Sequence, residues 1–185
     1  MTSRKKFIGK SSLGMLALLA NPMLSLADTA PDFEGVIVHE EEGEAYQVKG
    51  GKGLLKIKVT KMQGAESMCF LTEDFAPGEA VLVHKHLWDD EFIFLHRGSG
   101  IFTLGEKEVM IKEGAFAFVP KGVWHGLQNT GNINIEMRFG YCPSGMENFF
   151  RETAVPVGQP YVRKPFEERK AIAKKYGFVP KVEPK

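Results

Sequence analysis

The sequence predicts an all-β domain, a sandwich or barrel, with a short helical extension at its C-terminal end. Three observations point there. From about Phe33 to Tyr141 the chain runs as short apolar segments separated by Gly-, Pro- or Asn-rich breaks. It is rich in Gly (20 residues) and Phe (14), a composition that leans toward strands and turns. After Pro143 the composition becomes helical, in "GMENFFRET" and "KPFEERKAIAKKYG".

The first 27 of the 185 residues carry the pattern of an export signal. Arg4, Lys5, Lys6 and Lys10 form a basic start, "LGMLALLA" an apolar middle, and "SLA" a small-residue site for cleavage after Ala27. The run is too short to span a bilayer, which takes roughly 20 apolar residues, and Pro22 interrupts it. "SRKKFIGK" also resembles a twin-arginine signal, with Lys5 where the second arginine would stand. The expectation is an exported, periplasmic protein with no stable membrane insertion after cleavage. The leader holds 4 of the 24 Lys and Arg and none of the 23 Asp and Glu, so the mature chain carries 20 against 23, a net of −3. That balance gives no electrostatic basis for binding nucleic acid. Cys69 and Cys142 lack the CxxC spacing of a Cys-rich zinc site. They read as two separate buried thiols rather than a disulfide.

The expected organisation is a signal over 1–27, a barrel with an N-terminal arm over 28–143, and a helical extension over 144–185. "LLKIKVTKM" alternates apolar and basic residues and reads as a half-buried strand. "ESMCFLTEDF" follows and ends at the turn "APGE". "AVLVHKH", "EFIFLHR" and "GIFTLG" come next, then "EVMIK", "AFAFVP" and "VWHGLQN". "NTGN" turns the chain into "INIEMRFGY". In the extension, "AVPVGQPYVRKP" reads as a surface linker, and Gly177 and Pro180 as the stop signals of the last helix. Phe149 and Phe150 are expected to be buried, and Lys174 and Lys175 to face water.

The chemistry concentrates in two stretches. His84 and His86, two apart in a strand, point to the same face, with Val81 and Val83 expected on the other. Glu91 opens the next strand after the bend "LWDD". His125 follows a Pro120-x-Gly122 turn. Three imidazoles and one carboxylate make a mixed nitrogen and oxygen donor set suited to one divalent transition metal ion: Fe, Mn, Ni, Co, Cu or Zn. His96 has the opposite parity to Glu91 and is expected to face away. His39 has no supporting motif. Asp89 and Asp90 read as a solvated bend, Asn129 as a turn residue, and Trp88 and Trp124 as packing residues.

Here the sequence resembles the cupin family. Gly78, His84, His86, Glu91 and Gly98 meet its first motif, G-x5-H-x-H-x4-E-x6-G; Gly114, Pro120, Gly122, His125 and Asn129 meet its second, G-x5-P-x-G-x2-H-x3-N. The resemblance implies a double-stranded β-helix, or jelly-roll barrel, with His84, His86, Glu91 and His125 as metal ligands. It also implies turn roles for the four motif glycines. The tail residues Pro143, Gly145, Glu147, Phe149 and Phe150 are similar to those of the quercetin-dioxygenase-type branch. That finer resemblance implies an oxygenase-like enzyme acting on a small enolic or phenolic substrate, with Glu91 as both ligand and catalytic base. A metal-dependent sugar isomerase or epimerase, and a non-catalytic small-ligand-binding cupin, are the alternatives. Pairing of sheets between copies in the family implies a homodimer. No phosphate-binding Gly-rich loop or Ser or Cys nucleophile with a placed base is present.

Overall fold

A computed structural model describes residues 35–181, so the signal segment lies outside the described residues. Among the described residues, twelve strands, two α-helices and two short 3-10 helices follow in order. Strands β1 (Glu44–Val48), β2 (Gly53–Val59) and β3 (Cys69–Phe75) lead into β4 (Ala80–His86) and β5 (Asp90–Arg97). Then come β6 (Ser99–Leu104), β7 (Lys107–Lys112), β8 (Phe116–Val119), β9 (His125–Gln128) and β10 (Ile135–Cys142). Helix α1 (Glu147–Thr153), strand β11 (Val155–Pro156), helix α2 (Phe166–Lys175) and strand β12 (Phe178–Pro180) complete the chain.

The strands form two antiparallel sheets. One has the order β11-β1-β2-β3-β10-β5-β8, the other β12-β4-β9-β6-β7. β1-β2-β3 and β6-β7 are sequential neighbours, while pairs such as β3-β10, β10-β5, β4-β9 and β9-β6 are not, as a jelly roll produces when the chain crosses repeatedly between sheets. The core lies where the inner faces meet. Leu55, Leu71, Phe75, Ile93 and Leu95 from the larger sheet pack with Phe102 and Leu127 from the smaller.

The motif glycines take the conformations their motif needs. Gly78, Gly98, Gly114 and Gly122 all have positive φ, between 82° and 93°. At Gly98 a side chain would also collide with the Asn134 carbonyl oxygen, 2.9 Å from an added Cβ. Both strain and collision therefore select Gly there.

Bulges overturn one parity expectation. The pairing of β4 with β9 slips between Val81 and His84. One extra residue reverses which face the strand presents. Val81 consequently packs on the core, while Leu82 is exposed. His84 and His86 still share the inner face and both are buried.

The C-terminal extension is more than helices. β12 pairs with β4, placing Phe178 opposite His86 and Pro180 opposite His84. β11 pairs with β1. The linker thus contains one strand, and the supposed helix-stop segment contains another. Phe149 and Phe150 are half-buried against the core, less enclosed than expected, while Lys174 and Lys175 are exposed. Phe149 stacks on Phe178 at 4.9 Å, tying α1 to β12. The tail motif has a local role: the buried Glu147 carboxylate accepts hydrogen bonds from the Gly145 N–H at 2.6 Å and the Ser144 hydroxyl at 3.4 Å. Cys69 is buried, and burial followed by the nearby Glu147 pushes its thiol up to about 12. Cys142 is exposed, contrary to expectation, because it ends β10 with its side chain on the outer face; both thiols are free. Among the described residues no helix is long and apolar enough to cross a membrane.

Candidate metal centre

Three strands and both sheets supply the site. β4 contributes His84 and His86, β9 contributes His125, and β5 contributes Glu91. His84 and His125 are direct partners in the β4–β9 ladder. The turn before His125 is fixed by two backbone bonds: Gly122 N–H donates to the His86 carbonyl at 2.6 Å, and Val123 N–H to the Pro120 carbonyl at 3.1 Å. A Pro/Gly turn therefore ties the second motif directly to the strand carrying the first.

The structure brings all four residues together. One donor atom of each lies within 4.8 Å of the others, and all four are buried. The His84 and His86 Nε2 atoms are 3.1 Å apart. Glu91 Oε2 lies 2.6 Å from His125 Nε2 and 3.2 Å from His86 Nε2.

Hydrogen bonding on the far side of the rings tests whether a cation fits. His84 Nδ1 donates to the Leu82 carbonyl at 2.7 Å, and His125 Nδ1 to the Val123 carbonyl at 3.0 Å. A carbonyl can only accept, so these contacts put the protons on Nδ1 and leave lone pairs on Nε2 in the neutral rings. The lone pairs then converge on one another and on a carboxylate, an arrangement that repels itself unless a cation stands between them. His86 Nδ1 is buried without a hydrogen-bond partner. The converging Nε2 atoms and carboxylate suit an ion bound at the Nε2 side. Backbone carbonyls orienting ligand imidazoles is the usual outer-sphere arrangement of metal sites.

Protonation agrees with that picture at His84 and Glu91, whereas His125 is drawn toward its charged form. Burial, followed by the neighbouring His125 and His86, pushes His84 down to about 3, so it is neutral at pH 7. Burial pushes Glu91 up, but its contacts with His125 and His86 prevail and hold it well below the usual carboxylate range. At His125 burial works downward, and the Glu91 carboxylate outweighs it, raising the value.

Other residues single themselves out. Tyr141, the ladder partner of Glu91, is buried and packs edge-on against His86 at 4.9 Å. Burial, then the Glu91 charge, raises its hydroxyl well above its ordinary value. Phe178 lies flat on His84 at 4.5 Å. Tyr141 was foreshadowed by its parity with Met137 and Phe139 in "MRFGY"; Phe178, in a three-residue strand after Gly177, gave no periodic signal. His96 is exposed and faces Glu136 at 4.0 Å, away from the site. Asn129 is buried and organises its turn, donating to the Phe75 and Ile133 carbonyls and accepting from Gly131 N–H. Asp90 accepts from Lys121 N–H at 2.9 Å. Asp89 departs from the solvated bend expected of it: it is buried, and burial raises its pKa. The bend closes against the extension, where Leu87 N–H donates to the Gly177 carbonyl at 2.9 Å. Trp88 rests on Gly177, and Trp124 receives the Lys85 ammonium 4.7 Å from its ring.

A cavity of about 490 Å³ opens beside the cluster. His84, Glu91, Met137, Phe139 and Tyr141 line it from the barrel, and Phe149, Phe150, Phe166 and Phe178 from the extension. Its size is that of an ordinary small-molecule site, mostly apolar with a few placed polar groups.

Comparison with known proteins agrees with the fold. The family model of the cupin domain (Cupin_2) matches residues 71–139, which contain both motifs. The chain is 30% identical over 110 residues to the "Oxalate-binding protein" of Thermotoga maritima, covering 89% of that protein. It is 31% identical over 70 residues to the "Tetracenomycin polyketide synthase protein TcmJ" of Streptomyces glaucescens, of which it spans only 47%. A solved structure from Thermotoga maritima, described as a predicted oxalate decarboxylase, superposes with a TM-score of 0.54 at 24% identity, over 58% of this chain and 99% of that one. The polyketide cyclase RemF from Streptomyces resistomycificus superposes with a TM-score of 0.52 at 16% identity, over 75% of this chain and 99% of that one.

Proposed function

This chain belongs to the cupin family, and from that premise we propose that it is a metal-dependent, oxygenase-like enzyme acting on a small enolic or phenolic molecule. The observation that carries the reading is one cavity with two kinds of wall. His84 and Glu91 open onto it beside Tyr141, and Phe139, Phe149, Phe150, Phe166 and Phe178 add flat aromatic rings to a wall that is otherwise mostly aliphatic and charged. Flat rings stack favourably on such walls.

His84, His86, Glu91 and His125 would hold one divalent transition metal ion. When bound, that ion supplies Lewis acidity and open coordination positions for oxygen donors or dioxygen. The protein's own groups do the rest. Glu91 is kept as a carboxylate, the form needed both to ligate and to accept a proton from a substrate hydroxyl at its oxygen, which requires approach to ~2.6–3.2 Å. Tyr141 orients Glu91 from the neighbouring strand. Phe178 and Phe149 close one side and exclude water. A second reading, a binding module without turnover, draws support from the relative named for binding oxalate.

Oxygen uptake distinguishes the two. The metal-free protein is loaded separately with Fe(II), Mn(II), Co(II) and Ni(II) and followed with flavonols and catechols. Uptake with at least one pair is expected. No uptake with any pair, together with recovery of unchanged ligand, would replace the enzyme by the binding module. As part of the same proposal, residues 1–27 direct export and are removed after Ala27. N-terminal sequencing of the mature protein should begin at Asp28, and a retained Met1 would refute export by cleavage.

A further inference from the structure

Among the described residues, five Lys and Arg side chains line the cavity: Lys49, Arg163, Arg169, Lys170 and Lys174. Lys49 is neutralised in place: its ammonium lies 2.5 Å from Glu73, with the two side chains only 12% and 6% exposed. Arg163 and Arg169 line the same cavity from the extension. Among the described residues, neither has a carboxylate partner. Arg169 instead donates from Nε to the Lys164 carbonyl at 3.2 Å and lies over the Phe166 ring, 5.7 Å from its centroid.

The two guanidiniums also oppose one another. Burial and then the nearby Arg163 charge lower the Arg169 pKa. Like charges held together without a counter-charge are unfavourable, and a bound anion removes that cost. Guanidinium is the side chain best shaped for a planar carboxylate, which it grips with two parallel N–H bonds. Phe149, Phe150 and Phe178 line the same cavity as the arginines and Glu91. A ligand filling this space would have a flat apolar body, oxygen donors at the barrel end and a negative charge at the extension end.

We propose that Arg163 and Arg169 form the recognition site for a substrate carboxylate, so that the substrate class is an aromatic or enolic acid. The assignment of the opposite end of that ligand rests on the metal-centre reading; the arginine site itself does not. The extension is therefore the part of the chain that selects which molecule reaches the barrel. Lys49, already paired, takes no part in that selection.

Matched probes that differ only in the carboxylate test this. Calorimetry on the Co(II)-loaded protein compares 3,4-dihydroxybenzoate with catechol, and on the metal-free protein benzoate with benzamide. The acid of each pair should bind roughly tenfold or more tightly, as expected for a charge-assisted contact. Arg163→Gln with Arg169→Gln should abolish the preference while leaving catechol affinity and Co(II) content unchanged. Arg163→Gln alone changes an exposed residue and should lose part of it. No preference in the wild type, or a preference that survives the double change, overturns the proposal. Failure of Co(II) binding with the benzoate preference intact would remove the metal centre and keep the arginine site. Catechol and Co(II) binding without any acid preference would do the reverse.

Discussion

The two walls of the cavity differ in almost every physical respect. The barrel wall is built from strands whose neighbours are fixed by ladders on both sides, and its four metal-site side chains are buried together. The extension wall is built from short helices and a three-residue strand, half-buried, with arginines that lack an acidic partner among the described residues. The first arrangement suits a fixed ligand set. The second suits discrimination among molecules, since elements with fewer buried contacts tolerate change without loss of the barrel. On the proposed reading, chemistry and selectivity fall to different parts of the chain.

Removing a barrel-wall donor should have the largest effect. His84→Ala or His125→Ala should abolish stoichiometric metal binding and eliminate the stabilisation that metal provides, ~2.7 kcal/mol when the ion is present at ~100 times its dissociation constant. Metal analysis with melting curves in the presence and absence of chelator measures both. Full metal content in either variant would break the comparison at its stronger side.

Phe178→Ala should come next. The ring is half-buried between His84 and Phe149. The loss should be about 2 kcal/mol, below the ~3–5 kcal/mol of a fully buried phenylalanine, with metal still bound. Urea unfolding reads the stability. Loss of metal without unfolding would show that the extension belongs to the metal centre rather than to selection.

The legibility of the two walls differs in the same way. His84, His86, Glu91 and His125 could be read because strand alternation and Gly/Pro turns are short-range rules that survive in sequence. Val81 could not, since a bulge depends on the partner strand's register. Asp89 was misjudged because its bend, which reads as solvated, is packed against Gly177, some ninety residues on, by Leu87 and Trp88. Arg163 sits in the linker and Arg169 in the last helix, and neither pattern tells which side chains meet the barrel; only the fold reveals that they line the cavity.

Smaller effects sharpen the contrast. His96→Ala should leave metal content unchanged and stability within about 0.5 kcal/mol, as for other exposed positions. Glu44 and Arg151 join β1 to α1, with the Arg151 Nε 2.9 Å from the carboxylate. The Arg151 hydrogen bond holds Glu44 below its ordinary pKa. A depressed carboxylate stabilises the fold above its unfolded pKa, and the benefit fades as pH falls through the folded value. Being largely solvent-exposed, the pair should contribute no more than about 1 kcal/mol. The melting-temperature gap between wild type and Glu44→Gln should therefore be small at neutral pH and close in acid. A gap that widens in acid would contradict the assignment.

The central claim is that four side chains converge on one ion beside the cavity. X-ray absorption spectroscopy of the Co(II)-loaded protein tests it most directly. The account predicts one ion per chain, a first shell of nitrogen and oxygen only, and outer-shell scattering from three imidazoles. Substoichiometric binding, a sulfur ligand, or fewer than three imidazoles would contradict it.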